Sequence, residues 1–96
     1  MAKFVCILNT DERGVWTKDL VKRHVAHIRN MKQKGVLFLC GILKEIHGGL
    51  IILEADSYED AEAHILQDPT VVNKCYGYTI CEFIEGNEEN NYLLDE

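Results

Sequence analysis

Apolar positions in the first third of the chain predict a strand followed by a helix. Residues 3–8 form a short apolar run with β-branched members, and the run ends at the polar residue Asn9. After Thr17, apolar residues recur at spacings of three and four until Gly35, as expected for one face of a helix of about four turns. Thr17 suits the helix N-cap, and Gly35 can adopt the left-handed conformation that ends a helix.

The middle of the chain predicts a hairpin. Residues 36–42 and 50–55 are continuous apolar runs, so both are predicted strands. They are joined by residues 43–49, in which His47-Gly48-Gly49 offers the conformational freedom that a turn requires.

The last third predicts a shorter helix and a fourth strand. Ser57 is a suitable cap for a helix that ends at Asp68-Pro69, because the residue before proline is pushed out of the helical region. Residues 75–84 are rich in Tyr, Thr, Ile and Phe, which favours a strand.

The predicted order is therefore β-α-β-β-α-β. We expect an α+β, ferredoxin-like fold, with a four-stranded antiparallel sheet and two helices on one face. Strands two and three, however, carry apolar residues at both odd and even positions, whereas a sheet with one face in water should alternate. The expected cover for the second face is the same sheet of a second copy, which predicts a homodimer through the sheet faces, a dimeric α+β barrel.

Length and charge refine this picture. Ninety-six residues suit one domain, which we place at residues 1–85, with an acidic, mobile C-terminal tail at residues 86–96. The net charge is −6, and the last twelve residues hold five of the 16 acidic residues and no Lys or Arg. The basic residues between positions 18 and 34 lack the interleaved aromatics that stack on bases, so we interpret them as a solvated helix face and expect no nucleic-acid partner.

The sequence contains neither a membrane-spanning apolar run nor a metal-binding pair of cysteines. Its apolar runs are far shorter than the ~20 residues that a bilayer span needs, and its start lacks the pattern of a signal peptide, so we expect a cytoplasmic protein without a membrane partner. The four cysteines form no C-x-x-C pair and are predicted to be small core or strand residues rather than zinc ligands or disulfides. They are Cys6, Cys40, Cys75 and Cys81.

Residues 24–35 (HVAHIRNMKQKG), with a histidine eleven residues before a glycine, resemble a helix of the YCII-related family. The further matches are residues 39–41 (LCG), 48–57 (GGLIILEADS) and 68–71 (DPTV). The resemblance spans residues 3–84 and implies a dimeric α+β barrel with an active-site dyad at His24 and Asp68. Relatives of the fold include muconolactone isomerases and chloromuconolactone dehalogenases, so isomerisation or elimination is the implied chemistry.

The chain departs from the family pattern around this expected site. Val21 stands where an arginine is usual, and Ile42 stands where a proline often follows the strand-two glycine. Thr70 follows Asp-Pro in place of the frequent tyrosine, and Lys74 lies near a usual glycine. We therefore carry over the dyad and not a family substrate.

His24 and Asp68 lie 44 residues apart, and the predicted topology can bring them together. Antiparallel helices put the start of helix one at the same end as the finish of helix two, where the loop from Asn9 to Val15 also opens. An imidazole held by a carboxylate has a fixed tautomer and can act as a general base. Proton abstraction beside a carbonyl, or activation of a water, needs no cofactor, and we predict none.

Each of these residues also has a structural interpretation. His24 could be a partly buried histidine bonded to a backbone carbonyl, and Asp68 could be a helix N-cap with Pro69 at the first helical position, a role compatible with orienting His24. A metal on His24 and His27 is disfavoured, because no carboxylate follows with zinc-like spacing. His47 and His64 are interpreted as a turn residue and a solvent-facing residue.

The sequence thus predicts a small enzyme of the isomerase or lyase type that acts on a small carbonyl or lactone-like metabolite, with His24 and Asp68 as catalytic residues. Lys22, Arg23 and Asn9 are the candidate substrate-binding residues, and no metal site is expected. Two alternatives stay open: a non-catalytic dimer that binds a small ligand, in which Lys22 or Arg23 holds an anion, and cofactor-free oxygenation. No nucleotide-binding fingerprint occurs, since the only glycine pair lies in the hairpin.

Overall fold

The computed structural model describes residues 1–94 and contains the predicted elements in the predicted order. The strands are β1 (Ala2–Thr10), β2 (Leu37–Leu43), β3 (Gly48–Ala55) and β4 (Tyr76–Phe83), and the helices are α1 (Lys18–Gln33), α2 (Tyr58–Leu66) and the four-residue α3 (Pro69–Val72). Short 3₁₀ turns follow β2 at Lys44–Ile46 and β4 at Glu88–Leu93.

The four strands form one sheet in the order β2-β3-β1-β4, and every neighbouring pair is antiparallel. β1 and β3 are central, whereas β2 and β4 are the edge strands. This confirms the predicted α+β, ferredoxin-like arrangement. The register is regular except for an irregularity in β2 between Leu37 and Leu39.

The helix ends follow the local sequence signals. The Thr17 hydroxyl accepts a hydrogen bond of 3.0 Å from the backbone N–H of Leu20, which caps α1. The Ser57 hydroxyl accepts one of 3.1 Å from Asp60 and caps α2 in the same way. Gly35, just past α1, has a φ of 75°, the left-handed conformation expected for it.

The turn between β2 and β3 differs from the prediction. His47 has a φ of 53° and supplies the left-handed residue, whereas Gly48 and Gly49 belong to β3 and are buried. At Gly48 a Cβ atom would overlap the backbone carbonyl oxygen of Leu8. Gly48 is therefore required by the close approach of β1 and β3, not by turn geometry.

One face of the sheet packs against the helices and forms the core. The sheet residues in this core are Phe4, Cys6 and Leu8 of β1, Ile51, Leu53 and Ala55 of β3, and Ile80 of β4. The helices add Met31 from α1 and Ala61 and Ile65 from α2. Leu20 is buried as well, so both long helices use the apolar stripe that the sequence predicts.

The opposite face of the sheet is also apolar. The register places on it Val5, Ile7, Leu39, Leu50, Ile52, Cys81 and Phe83. These side chains are half-buried or exposed, and no helix of residues 1–94 covers them. We call this set the open face. It accounts for the apolar residues at both odd and even positions, and its cover by a second copy stays a prediction.

The four cysteines are free thiols at core or strand positions. Cys6 and Cys75 are buried, whereas Cys40 and Cys81 are exposed on β2 and β4. Among residues 1–94, no three His, Cys, Asp or Glu side chains are grouped closely enough to hold a metal ion.

The segment after β4 carries the short turns of Glu88–Leu93, capped by hydrogen bonds between Asn87 and Asn90. Its side chains are almost all exposed. The last two residues of the predicted tail lie outside the described part of the chain, and its mobility stays a prediction. Every helix within residues 1–94 is too short or too polar to cross a bilayer.

Candidate active site

His24 and Asp68 meet where α1 begins and α2 has ended. His24 lies in the second turn of α1, and Asp68 is the N-cap residue of α3, immediately before Pro69. The Nδ1 atom of His24 lies 2.9 Å from each carboxylate oxygen of Asp68. The side chain of His24 is 23% exposed and that of Asp68 is fully buried, so the imidazole separates the carboxylate from solvent.

Asp68 is also held by Thr70. Its Oδ1 atom accepts hydrogen bonds from the backbone N–H of Thr70 at 2.9 Å and from the Thr70 hydroxyl at 2.7 Å. Asp68 therefore caps α3 and contacts His24 at once, as the sequence left open. Burial by itself would raise the pKa of the Asp68 carboxyl, but the hydrogen bonds from His24 and Thr70 outweigh burial and lower it.

An ionised Asp68 determines which nitrogen of His24 carries the proton. A carboxylate only accepts hydrogen bonds, so Nδ1 must be the donor. In the neutral ring Nε2 then has a free lone pair, and no hydrogen bond among residues 1–94 engages it. The pair can hold a base at Nε2 and stabilise the imidazolium that forms when the base takes up a proton.

His24 lines a cavity of about 390 Å³ between α1 and the sheet, where residues of all four strands contribute. Strand residues in its lining are Leu8, Cys40, Gly41, Ile42, Gly48, Gly49, Leu50, Ile51 and Tyr76, and α1 adds Val25, Ile28 and Arg29. Most of these groups are apolar. The cavity suits a small, largely apolar molecule next to a base.

The candidate substrate-binding residues do not line this cavity. Arg23 is exposed and forms an ion pair of 3.0 Å with Asp19 one turn earlier. Lys22 lies beside Trp16 in a shallow groove at the start of α1, and Asn9 is exposed on β1, opposite Gly77 of β4. A substrate-binding role for these three residues has no support from their positions.

The structure adds two residues that the sequence interpretation overlooked. Arg29 lines the cavity five residues after His24, and the spacing of Val25 and Ile28 on α1 was the signal that could have pointed to it. Tyr76 also lines the cavity, and its ring packs edge-on against Trp16 at 5.2 Å between centroids. Burial, and then the negative charge of Asp68, raise the pKa of Tyr76, so its phenol stays protonated and able to donate.

Other reactive groups nearby have structural partners. Burial, and then the charge of Asp68, raise the pKa of Cys6 to about 12, so this thiol stays protonated and is no nucleophile. The Nε2 atom of His27 lies 2.8 Å from the backbone carbonyl oxygen of His64, which makes that nitrogen a donor. His64 is half-buried rather than solvent-facing, and burial, followed by the charges of Lys34 and His27, lowers its pKa.

The sequence model of the YCII-related domain matches residues 2–84, and the chain belongs to that family. No protein of curated function matches it in sequence. Among solved structures, it is similar to 5-chloro-2-hydroxyhydroquinone dehydrochlorinase from Burkholderia phenoliruptrix AC1100, in complex with 2,5-dihydroxybenzoquinone. The TM-score is 0.59 and the identity 16%, over 86% of this chain and 95% of that chain, so the likeness concerns the fold.

Proposed function

We propose that this chain is a small enzyme in which His24 acts as a general base and Asp68 orients it. The substrate class is a small carbonyl or lactone-like molecule, and the reaction is an isomerisation or an elimination. The observation that carries the proposal is the contact of one imidazole nitrogen with a buried carboxylate, while no group of residues 1–94 bonds the other nitrogen beside a largely apolar cavity.

The proposed reaction begins at a C–H bond next to a carbonyl. Nε2 of His24 takes the proton, and the electron pair of the bond moves toward the carbonyl oxygen to give an enolate. In an isomerisation the imidazolium returns the proton to another carbon. In an elimination the electron pair forms a new double bond and the leaving group departs with its own bonding pair. Asp68 stabilises the imidazolium in both cases.

Two further observations support an enzyme with this chemistry. The structural neighbour is a dehydrochlorinase that binds a small ring compound, although at 16% identity it supports the reaction class by analogy alone. The hydrogen bonds from His24 and Thr70 outweigh the burial of Asp68 and keep its carboxylate ionised, which is the state that orients the neutral base.

The proposal includes a homodimer built on the open face. An apolar face of this extent on a single small chain is typical of an interaction surface. A two-fold partner is the simplest cover for the open face, since its largely apolar surface can pack against its own copy, with Lys3 and Glu54 at one end as the charged pair. Leu50 belongs to both the open face and the cavity lining, so the dimer interface would lie next to the cavity.

The test is exchange of carbon-bound hydrogen with solvent. The protein is incubated in D₂O with a panel of small ketones and lactones, and deuterium incorporation beside the carbonyl is followed by proton NMR. We expect accelerated exchange for ligands that enter the cavity. His24→Gln should lower the rate by about 10²- to 10⁴-fold, the usual contribution of a general base. Asp68→Asn should also lower it, because an amide can stabilise the wrong tautomer.

His64→Gln is the control, since His64 lies outside the cavity lining and should leave the rate unchanged. A panel compound that is shown to bind beside His24 and undergoes no exchange contradicts the proposal. In that case the chain is a binding protein, and the same variants alter affinity alone.

A further inference from the structure

We propose that Arg29 binds an acidic group of the substrate, so that the site is selective for small apolar carboxylates. The inference rests on the proposed function only for the role of His24 as the group that reacts with the substrate. The assignment of Arg29 rests separately on its position in the cavity lining and on its charge.

The four residues that α1 contributes to the cavity form one arc of the helix. At 100° per residue, Ile28 and Val25 lie between His24 and Arg29, and the arc spans about 140°. Along the axis, His24 and Arg29 are separated by about 7.5 Å. The helix therefore presents an apolar surface with a base at one edge and a cation at the other.

Among residues 1–94, Arg29 is the only one in the cavity lining with a permanent charge. None of the ion pairs among residues 1–94 engages it, in contrast to Arg23, which is paired with Asp19. A guanidinium presents a fork of donors that matches the two oxygens of a carboxylate. Arg29 is exposed, so a carboxylate can reach it from solvent, and most of the remaining lining is apolar.

The buried charge of Asp68 fixes the direction in which a carboxylate would bind. Asp68 lies directly behind His24, so a negative group at that end of the cavity is repelled. The same group is attracted at the Arg29 end. The apolar body then lies on Val25 and Ile28, and the carbon next to a carbonyl faces Nε2 of His24.

Benzoate and benzyl alcohol test the inference, because they share a ring and differ in charge. Affinities are measured by titration calorimetry, with NMR shifts at residues 24–29 to locate binding. We expect benzoate to bind the unmodified protein about tenfold more tightly than benzyl alcohol, since a charge-assisted hydrogen-bonded pair contributes roughly that much. Arg29→Gln should remove this preference and leave the affinity for benzyl alcohol within about twofold.

Two variants make the assignment specific. Lys34→Gln removes the same charge from an exposed position at the end of α1, outside the cavity lining, and should keep the preference. His24→Gln removes the other group that could attract an anion, and it should keep the preference as well. Circular dichroism verifies that each variant is folded.

Several outcomes would overturn the inference: equal affinities for the two probes, no binding of either probe in the cavity, equal losses in Arg29→Gln and Lys34→Gln, or loss of the preference in His24→Gln. The result is separable from the proposed function. A benzoate preference that depends on Arg29 in a protein without exchange activity upholds this inference and contradicts the enzyme. Exchange activity in a protein whose carboxylate affinity is unaffected by Arg29→Gln supports the enzyme and contradicts this inference.

Discussion

Thr70 stabilises the buried charge of Asp68 through the same carboxylate oxygen that His24 contacts. An ionised carboxylate removed from water costs several kcal/mol unless hydrogen bonds compensate it. Asp68 receives two such bonds from Thr70, one from its backbone and one from its hydroxyl, in addition to the contact with His24. Position 70 is one at which the chain departs from the family's frequent tyrosine, and the hydroxyl of this smaller residue has a direct role next to the candidate base.

Replacing Thr70 should therefore weaken the fold through Asp68. Thr70→Val keeps the side-chain shape and deletes the hydroxyl, and we expect it to lower the free energy of unfolding by about 1–3 kcal/mol at pH 7. Thr70→Ser retains the hydroxyl and should lower the free energy of unfolding by less than Thr70→Val does. Urea unfolding followed by circular dichroism measures both. An unchanged unfolding free energy in Thr70→Val, or a larger loss in Thr70→Ser than in Thr70→Val, would contradict a stabilising role of the hydroxyl.

The lowered pKa of Asp68 also makes stability depend on pH in a defined direction. An aspartate whose folded pKa lies below its unfolded value, about 3.9, stabilises the fold above that value, and the contribution is lost as pH falls through the folded pKa. In Thr70→Val the folded pKa of Asp68 rises toward the unfolded value, so the pH-dependent contribution should be smaller and its loss should be complete at a higher pH than in the unmodified protein. Unfolding free energies measured between pH 2.5 and 6 test this expectation. Asp68→Asn should lack the part of the pH dependence that Asp68 contributes.

The candidate substrate-binding residues stay predictions, and their positions show the limit of reasoning from sequence neighbours. Lys22 and Arg23 are next to His24 in sequence, but Arg23 points to another side of α1 and Lys22 lies beside Trp16 at the helix start. Arg29 is more distant in sequence, yet it shares the cavity with His24. The angle of a residue around the α1 axis, and not its distance in sequence from His24, determines whether its side chain faces the same cavity. The sequence does not show which arc of α1 faces a cavity, because the cavity is formed by strands from the rest of the chain.

At the scale of elements, hydrophobic periodicity was sufficient to predict the order and type of every strand and both long helices. It was not sufficient for the β2–β3 connection. A Gly-Gly pair after a histidine favours turn glycines, yet the left-handed residue is His47 and the glycines continue the strand. The decisive constraint is the backbone of Leu8 on β1, some 40 residues earlier, and no local pattern reports such a contact.

This constraint predicts a difference between two adjacent glycines. Gly48→Ala would force a Cβ atom onto the Leu8 carbonyl, and a backbone group cannot move aside cheaply, so we expect a loss of at least about 1–3 kcal/mol in unfolding free energy. Gly49→Ala meets only ordinary contacts, the nearest at 3.5 Å, and should cost clearly less. Thermal melts of the two variants measured side by side test the pairing of β1 with β3. Equal losses would contradict it.

At the scale of the whole molecule, the two faces of the sheet have different partners. The core face packs against α1 and α2, whereas the open face has no cover within residues 1–94. The sequence predicted that both faces are apolar, because continuous apolar runs leave no polar face. The pattern alone does not identify what packs on the open face, since the same apolar residues suit a helix, a second copy or another partner.

If a second copy covers the open face, one charge there should separate the copies. Ile52→Glu places a carboxylate in the middle of that face and should shift sedimentation from dimer to monomer, whereas Val15→Glu, at an exposed loop position, should not.

The unmodified protein gives an independent measurement of the dimer. Cys40 and Cys81 are both exposed in the single chain, but only Cys81 lies on the open face, so a dimer should slow its reaction with a thiol reagent relative to Cys40. Equal rates together with a monomeric sedimentation coefficient at micromolar concentration would exclude the dimer.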